Sequence, residues 1–184
     1  FAAADAVKQT AWRDGRLYAT RRGERAELNA YLDDHAFLLA ALLELMQTRF
    51  RREDFEWACD LAGALLERFE DRDRGGFWFT SHDHERLFHR TKPGHDNATP
   101  AGNGIAASAL VAFGHLAADI RYVDAARRAV ELFAPGLTES PAGHSSVLAA
   151  LTALDTPPAS VLLTGDADVC AAWQRTLETA FRPG

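Results

Sequence analysis

Cysteine is nearly missing from this chain. Its 184 residues include two, Cys59 and Cys170, far apart and in no Cys-x-x-Cys pair. Such thiols exclude a disulfide scaffold and suit a reducing cytosol, so the expected location is cytoplasmic. No apolar run approaches the ~20 residues of a membrane span, and no signal peptide is visible. Positive charge is short as well: 20 Lys and Arg against 26 Asp and Glu leave a formal net charge of −6. With a sequence pI near 5.6, general attraction to nucleic acid or to an anionic membrane is excluded. Arg21, Arg22 and Arg25 form a local basic group that reads as a solvated hairpin turn. There is no Gly-x-Ser-x-Gly elbow, no Walker loop and no Cys–His pairing. His82, Asp83, His84 and His89 lack both the helix-borne His-x-x-x-His spacing and the cysteines of a zinc site. No metal and no other cofactor is therefore expected.

What is present reads as a globular, mainly helical chain. Hydrophobic residues make up 47% and charged residues 25%, an ordinary balance for a packed domain. The chain opens at Phe1 inside a helix-like run, so a fragment or processed piece of something longer is expected. Residues 1–12 read as the end of an amphipathic helix, and Leu17–Thr20 with Arg25–Leu28 as a short hairpin around Arg22-Gly23. An inner-type helix follows over roughly 30–50, apolar on every side from Ala36 to Leu43. The next, roughly 53–69, carries one apolar stripe through Phe55, Ala58, Ala62 and Leu65.

The alternation then repeats. Phe77–Thr80 and Arg86–His89 read as hairpin strands, a loop spans about 90–102, helix 104–118 is apolar all round, and helix 122–134 is amphipathic. In that last helix Tyr122, Ala125, Ala129 and Leu132 copy the spacing of Phe55, Ala58, Ala62 and Leu65. A period of roughly 55–65 residues suits repeated helical hairpins. Ser140 and Pro141 open a third inner-type helix that ends near Asp155. Beyond Pro158 the texture changes: Ser160–Thr164 reads as a strand, followed by a Gly165-Asp166 turn and helix 167–180. The expected division is a helical segment over 1–156 and the start of a small α/β appendage over 157–184.

Polar groups gather where the buried helices begin. Asp33, Asp34 and His35 sit in the first turn of the first inner helix, after Tyr31. The helix dipole alone favours carboxylates there, by ~0.3–1 kcal/mol each. His35 adjoins an otherwise apolar helix, where burial lowers its pKa and a neighbouring carboxylate raises it. Lys92, His95 and Asp96 lie on the loop before the second inner helix, and Asn103 stands at an N-cap position with Gly102 as a flexible loop residue. His144 enters the third inner helix in the same way, and Trp78 offers an aromatic face near the same mouth. The expected catalytic groups are Asp34, His35 and Asp96; the expected substrate contacts are Tyr31, Asp33, Trp78, Lys92, Asn103 and His144. For each, a bland role as cap or packing residue competes with the functional one.

Three stretches carry a family resemblance: Tyr31-Leu32-Asp33-Asp34-His35-Ala36-Phe37, Gly75-Gly76-Phe77-Trp78-Phe79-Thr80, and Arg90-Thr91-Lys92 through Asp96-Asn97-Ala98-Thr99-Pro100-Ala101-Gly102-Asn103. Their order and spacing resemble the C-terminal helical region of the thioredoxin-domain proteins related to spermatogenesis-associated protein. The resemblance implies an (α/α)6 toroid of the six-hairpin glycosidase kind, similar to N-acylglucosamine 2-epimerase, with about three of the six hairpins present here. It also implies a missing first half of the toroid and a missing thioredoxin-like domain, or self-association in their place. The chain departs from the family at Ala101, where serine is usual, and at Asn97, where glycine is usual. The expected function is that of a carbohydrate-active or carbohydrate-binding toroid with a small sugar as ligand. Its chemistry would be epimerase-like or glycoside hydrolase-like. The alternative is a non-catalytic scaffold or docking region of a thioredoxin-domain protein.

Overall fold

The structure is a computed structural model that describes residues 1–22, 25–85, 87–177 and 179. Helix α1 (Ala2–Ala11) leads into a three-stranded antiparallel sheet, β1 (Trp12–Arg13), β2 (Arg16–Arg22) and β3 (Arg25–Asn29), in the order β1-β2-β3. Trp12 faces Leu17 across the first pair and Tyr18 faces Asn29 across the second. The helices that follow are α2 (Leu32–Thr48), α3 (Arg52–Ala64), α4 (Gly102–Ala117), α5 (Ile120–Glu139), α6 (Ser145–Asp155) and α7 (Ala167–Leu177). A π-helical turn, Leu65–Phe69, extends α3, and a 3-10 turn, Pro141–His144, precedes α6.

Two layers result. Helix α4 lies between α2 and α6, while α3 backs α2 and α5 backs α4 and α6. The all-round apolar character of α4 has its physical reason here: it has neighbours on three sides, and Leu110, Val111 and Phe113 are fully buried. Each such side chain contributes roughly 1.5–3 kcal/mol through its burial. The alanines shared by the two outer helices, Ala58 and Ala62 on α3 and Ala125 and Ala129 on α5, are all buried and let those helices approach the inner layer closely. At the other edge α1 is tied to α3: the Arg51 guanidinium donates to both Asp5 and Asp54, and Lys8 donates to the Glu53 carbonyl.

Several expectations are corrected. Residues 77–80 and 87–89 form no hairpin ladder; the one bridge there pairs Glu70 with Phe77. Segment 77–79 instead bonds piecemeal to three others, with the Trp78 N–H donating to Phe69, the Phe79 N–H to Thr91, and the Phe79 carbonyl accepting from Leu32. Residues 157–164 form no strand. Val161 and Leu162 stand exposed, and among the described residues no second strand lies alongside to complete a ladder. Helix α5 runs on to Glu139 through Pro135, whose ring is exposed and whose missing N–H removes one bond from the helix ladder without ending it. Ser140 makes no side-chain cap, and a 3-10 turn intervenes before α6. The hairpin tip at Gly23, the side chains of Arg22 and Arg25, the strand start expected at Arg86 and the last helical turn expected near 180 lie outside the described residues. Helix α7 has no buried residue. No helix among the described residues is long and apolar enough to cross a membrane.

Candidate functional site

The three inner helices begin side by side. A Cβ added to Gly102, in the first turn of α4, would come 2.0 Å from Asp33 Oδ1 in the first turn of α2. One added to Gly104 would come 2.1 Å from Ser146 Oγ in the first turn of α6. Gly102 is therefore more than a flexible loop residue: both glycines are needed for the close approach of neighbouring helix ends. Asp96 ties the rim together from the preceding loop. It accepts the Ala101 N–H at 2.8 Å, the Ser146 N–H at 2.8 Å and the Ser146 hydroxyl at 2.5 Å. Asp33 and Asp96 thus flank the start of α4 from opposite sides. Ser146 was not singled out by sequence reasoning, and nothing in its neighbourhood marked it; a serine one residue into a helix is common.

The remaining α2 groups serve their own helix end. Asp34 accepts the Tyr31 N–H at 2.8 Å, and the Tyr31 ring stacks on Phe79 with centroids 4.9 Å apart. His35 Nδ1 donates to the Tyr31 carbonyl at 2.9 Å, the ring packs on Phe69, and Nε2 is buried with no partner. Of the opposing influences on His35, burial prevails and lowers its pKa against the Tyr31 bond and the Asp34 charge. The ring is accordingly neutral at neutral pH. Asp33 behaves oppositely: burial, helped by the adjacent Asp34 charge, raises its pKa, and its Oδ1 is buried without a hydrogen-bond partner.

Of the other candidates, Asn103 and His144 stand at the starts of α4 and α6 beside this rim, while Lys92 and Trp78 lie against the Asp71–Gly75 turn. Asn103 is inside α4, with Ala101 at the N-cap position. Its amide is 1% exposed and bonds only backbone: Oδ1 accepts the Phe77 N–H at 2.7 Å, and Nδ2 donates to the Phe77 and Pro93 carbonyls at 3.0 and 2.8 Å. Lys92 donates to Asp71 at 2.7 Å and to the Gly75 carbonyl at 2.6 Å, and its ammonium lies 4.4 Å from the Trp78 ring centroid. His144 bonds the Ser140 carbonyl and meets His95 edge-on. His84 packs on Tyr31, and Asp83 pairs with Arg16. Among the described residues no group of three or more His, Cys, Asp or Glu side chains is placed to hold a metal ion.

The Asp96 knot sets one pH dependence. Burial pushes this carboxyl up, but the bonds from Ser146 and Ala101 more than offset it, so its pKa lies below the ordinary carboxylate value. A depressed acid contributes stability above the unfolded pKa of about 4, lost as pH falls through the lower folded value. Urea unfolding of wild type and Asp96→Asn at several pH values should therefore show a stability gap near neutrality that closes in acid. A gap independent of pH would show that Asp96 is not bound as a carboxylate. No protein-family description matches this chain, and no curated protein matches it either.

Proposed function

We propose that this chain is a carbohydrate-active or carbohydrate-binding helical domain, a segment of an α/α toroid, whose ligand meets the rim where α2, α4 and α6 begin. The observation that carries this reading is Asp33. Among the candidate carboxylates of the rim, Asp34 and Asp96 are engaged with backbone N–H groups, whereas Asp33 Oδ1 has no partner and its proton is held more tightly than usual. A carboxyl whose pKa is raised by burial is a candidate proton donor to a sugar oxygen. Asp34, His35 and Asp96 then act as positioning groups that fix the helix ends around it. Glycoside hydrolysis would use Asp33 to protonate the leaving oxygen while water adds at the anomeric carbon and gives up its proton; epimerisation would use it to return a proton to the carbon α to a carbonyl after a separate base has removed the first.

The test has two arms. Binding and turnover of a panel of mono- and disaccharides are measured for wild type and Asp33→Asn, with loss expected in the variant. Thermal unfolding is measured in parallel. A raised folded pKa gives stability that is complete below about 4 and lost as pH rises through the folded value. Asp33→Asn should therefore melt above wild type at pH 7.5, with the gap shrinking toward pH 3. Lower stability of the variant at neutral pH would end the reading of Asp33 as a strained, poised acid.

A second reading is favoured by a different observation. Phe37 on α2 and Leu148 and Leu151 on α6 stand 39–45% exposed on helices of the inner layer. A scaffold that docks a companion segment, a second copy or a thioredoxin-like domain would present such a face. Equal responses of wild type and Asp33→Asn across the whole sugar panel would favour this scaffold over the carbohydrate domain. In either reading the chain works in the cytoplasm.

A further inference from the structure

Helix α7 and the inner layer each leave an apolar side open. On α7 the open side is the stripe Val169, Ala172, Trp173 and Thr176, spaced as one helical face. The opposite side, through Cys170 and Gln174, is half-buried. A helix of 11 residues is marginal in water by itself, so α7 needs a surface for its stripe. The inner layer has one. Helix α4 has neighbours on three sides, and its fourth carries Ile105, Ser108, Ala112 and Leu116, none of them buried. Beside it Phe37 and Ala41 on α2 and Leu148 and Leu151 on α6 are exposed. Among the described residues nothing covers this side.

The connection decides whose α7 can use it. Residues 156–166 join α6 to α7, a span of up to ~36–40 Å when extended, against ~16–26 Å for the length of an inner helix. Reach is therefore ample. Direction is not free: Thr156 leaves α6 at φ −126° and ψ 83°, and Pro157-Pro158 keep the next residues extended. The chain is carried off the end of α6, not back along it, and both apolar sides stay open within one chain. Area points the same way. The large side chains concerned, Phe37, Leu116, Leu148, Leu151, Val169 and Trp173, are 37–59% exposed, on the order of 100 Å² each. One contact covers ~600 Å²; two equivalent contacts reach the ~1,200 Å² at which stable interfaces begin. A twofold axis supplies the second contact by symmetry. Arg175 flanks the stripe and Glu44 lies one turn beyond Ala41 on α2, so opposite charges are available at the contact's edge. We infer that the α7 stripe docks on the open side of the inner layer of a second copy, in a reciprocal exchange of arms. The inference takes up the exposed face of the scaffold reading and names its occupant; it stands whether or not the rim binds a sugar.

Sedimentation velocity of the full chain over a dilution series tests it. Wild type should form a dimer with a dissociation constant in the micromolar range. Trp173→Asp on the arm and Leu148→Asp on the face change exposed positions, so folding is not at stake. Each should weaken the dimer at least about tenfold. An equal mixture of the two variants keeps one contact intact, the arm of one chain on the face of the other. It should pair more tightly than either variant alone and less tightly than wild type. A dimer lost in Trp173→Asp but kept in Leu148→Asp means that α7 pairs with α7, and the reverse means that face pairs with face; either overturns the exchange, as does a mixture that fails to pair. A wild-type monomer, or an open-ended assembly, overturns it too, and the monomer would leave the scaffold reading to a companion segment.

Discussion

Asn103→Ala is expected to lose about 3–5 kcal/mol of folding stability, measured as a shift of the urea midpoint at unchanged slope. The side chain is buried and its amide satisfies three backbone groups that no other described residue bonds: the N–H and carbonyl of Phe77 and the carbonyl of Pro93. Truncation leaves all three without partners, at a cost of ~1–3 kcal/mol per buried group. A domain of this kind has a net stability of only about 5–15 kcal/mol, so the loss is a large fraction of the whole. Asn103→Asp is expected to be at least as damaging. It replaces two donors by a carboxylate oxygen facing two carbonyls, and it buries a charge. The damage has a direction as well. Residues 77–80 and the loop that carries Lys92 and Asp96 both hang on this amide, so limited proteolysis should cut first between 86 and 101 in either variant. A midpoint within experimental error of wild type would mean that these loops are held elsewhere.

Asn103 also shows where reading the chain without coordinates stops. A polar residue just before an apolar helix is the usual mark of an N-cap, and capping uses a local bond within the helix's own first turn. Here the helix starts one residue earlier, at Gly102, and the amide reaches 26 residues back to Phe77. No short-range pattern encodes a bond of that separation. The same limit explains segment 77–80. Its aromatic and β-favouring residues suggested a strand, but its backbone bonds go to three different segments, a compromise set by tertiary contacts. Ser160–Thr164 erred in the same way: residue preference described a strand, and a strand needs a neighbour.

The helices were legible for the opposite reason. Apolar spacing of 3.6 residues in α3 and α5, and its absence in α4, report burial on one side or on all sides, and burial is what the layers produce. The matching alanines of α3 and α5 were likewise a packing signal. At the rim, residue types were legible but partnerships were not. Asp33, Asp34 and His35 are consecutive, yet the backbone turns Asp34 toward the Tyr31 N–H and His35 inward toward Phe69, while Asp33 meets the next inner helix. Three neighbouring positions spaced about 100° apart on a helix have three different surroundings.

The second large effect concerns two glycines that a sequence treats alike. Gly63 and Gly104 both lie inside helices, and alanine is favoured over glycine there by ~0.8–1.0 kcal/mol in intrinsic preference. An added Cβ at Gly63 meets nothing within 4 Å, so Gly63→Ala should stabilise the protein by about 0.5–1 kcal/mol. At Gly104 the same atom would lie 2.1 Å from Ser146 Oγ, 2.5 Å from Ser146 Cβ and 2.6 Å from its carbonyl carbon. The hydroxyl can rotate, but the backbone of α6 must retreat. Overpacking of this kind costs ~1–3 kcal/mol, and retreat of α6 also stretches the Asp96 bonds to the Ser146 N–H and hydroxyl. Gly104→Ala should therefore destabilise by about 2–4 kcal/mol, and Gly104→Val by more, despite the gain in helix preference. Paired thermal melts of Gly63→Ala and Gly104→Ala check this through the sign of the two shifts. Shifts of the same sign would mean that α4 and α6 do not cross at Gly104 as closely as described, and the juxtaposition of Asp33, Gly102, Asp96 and Ser146 would fall with that crossing.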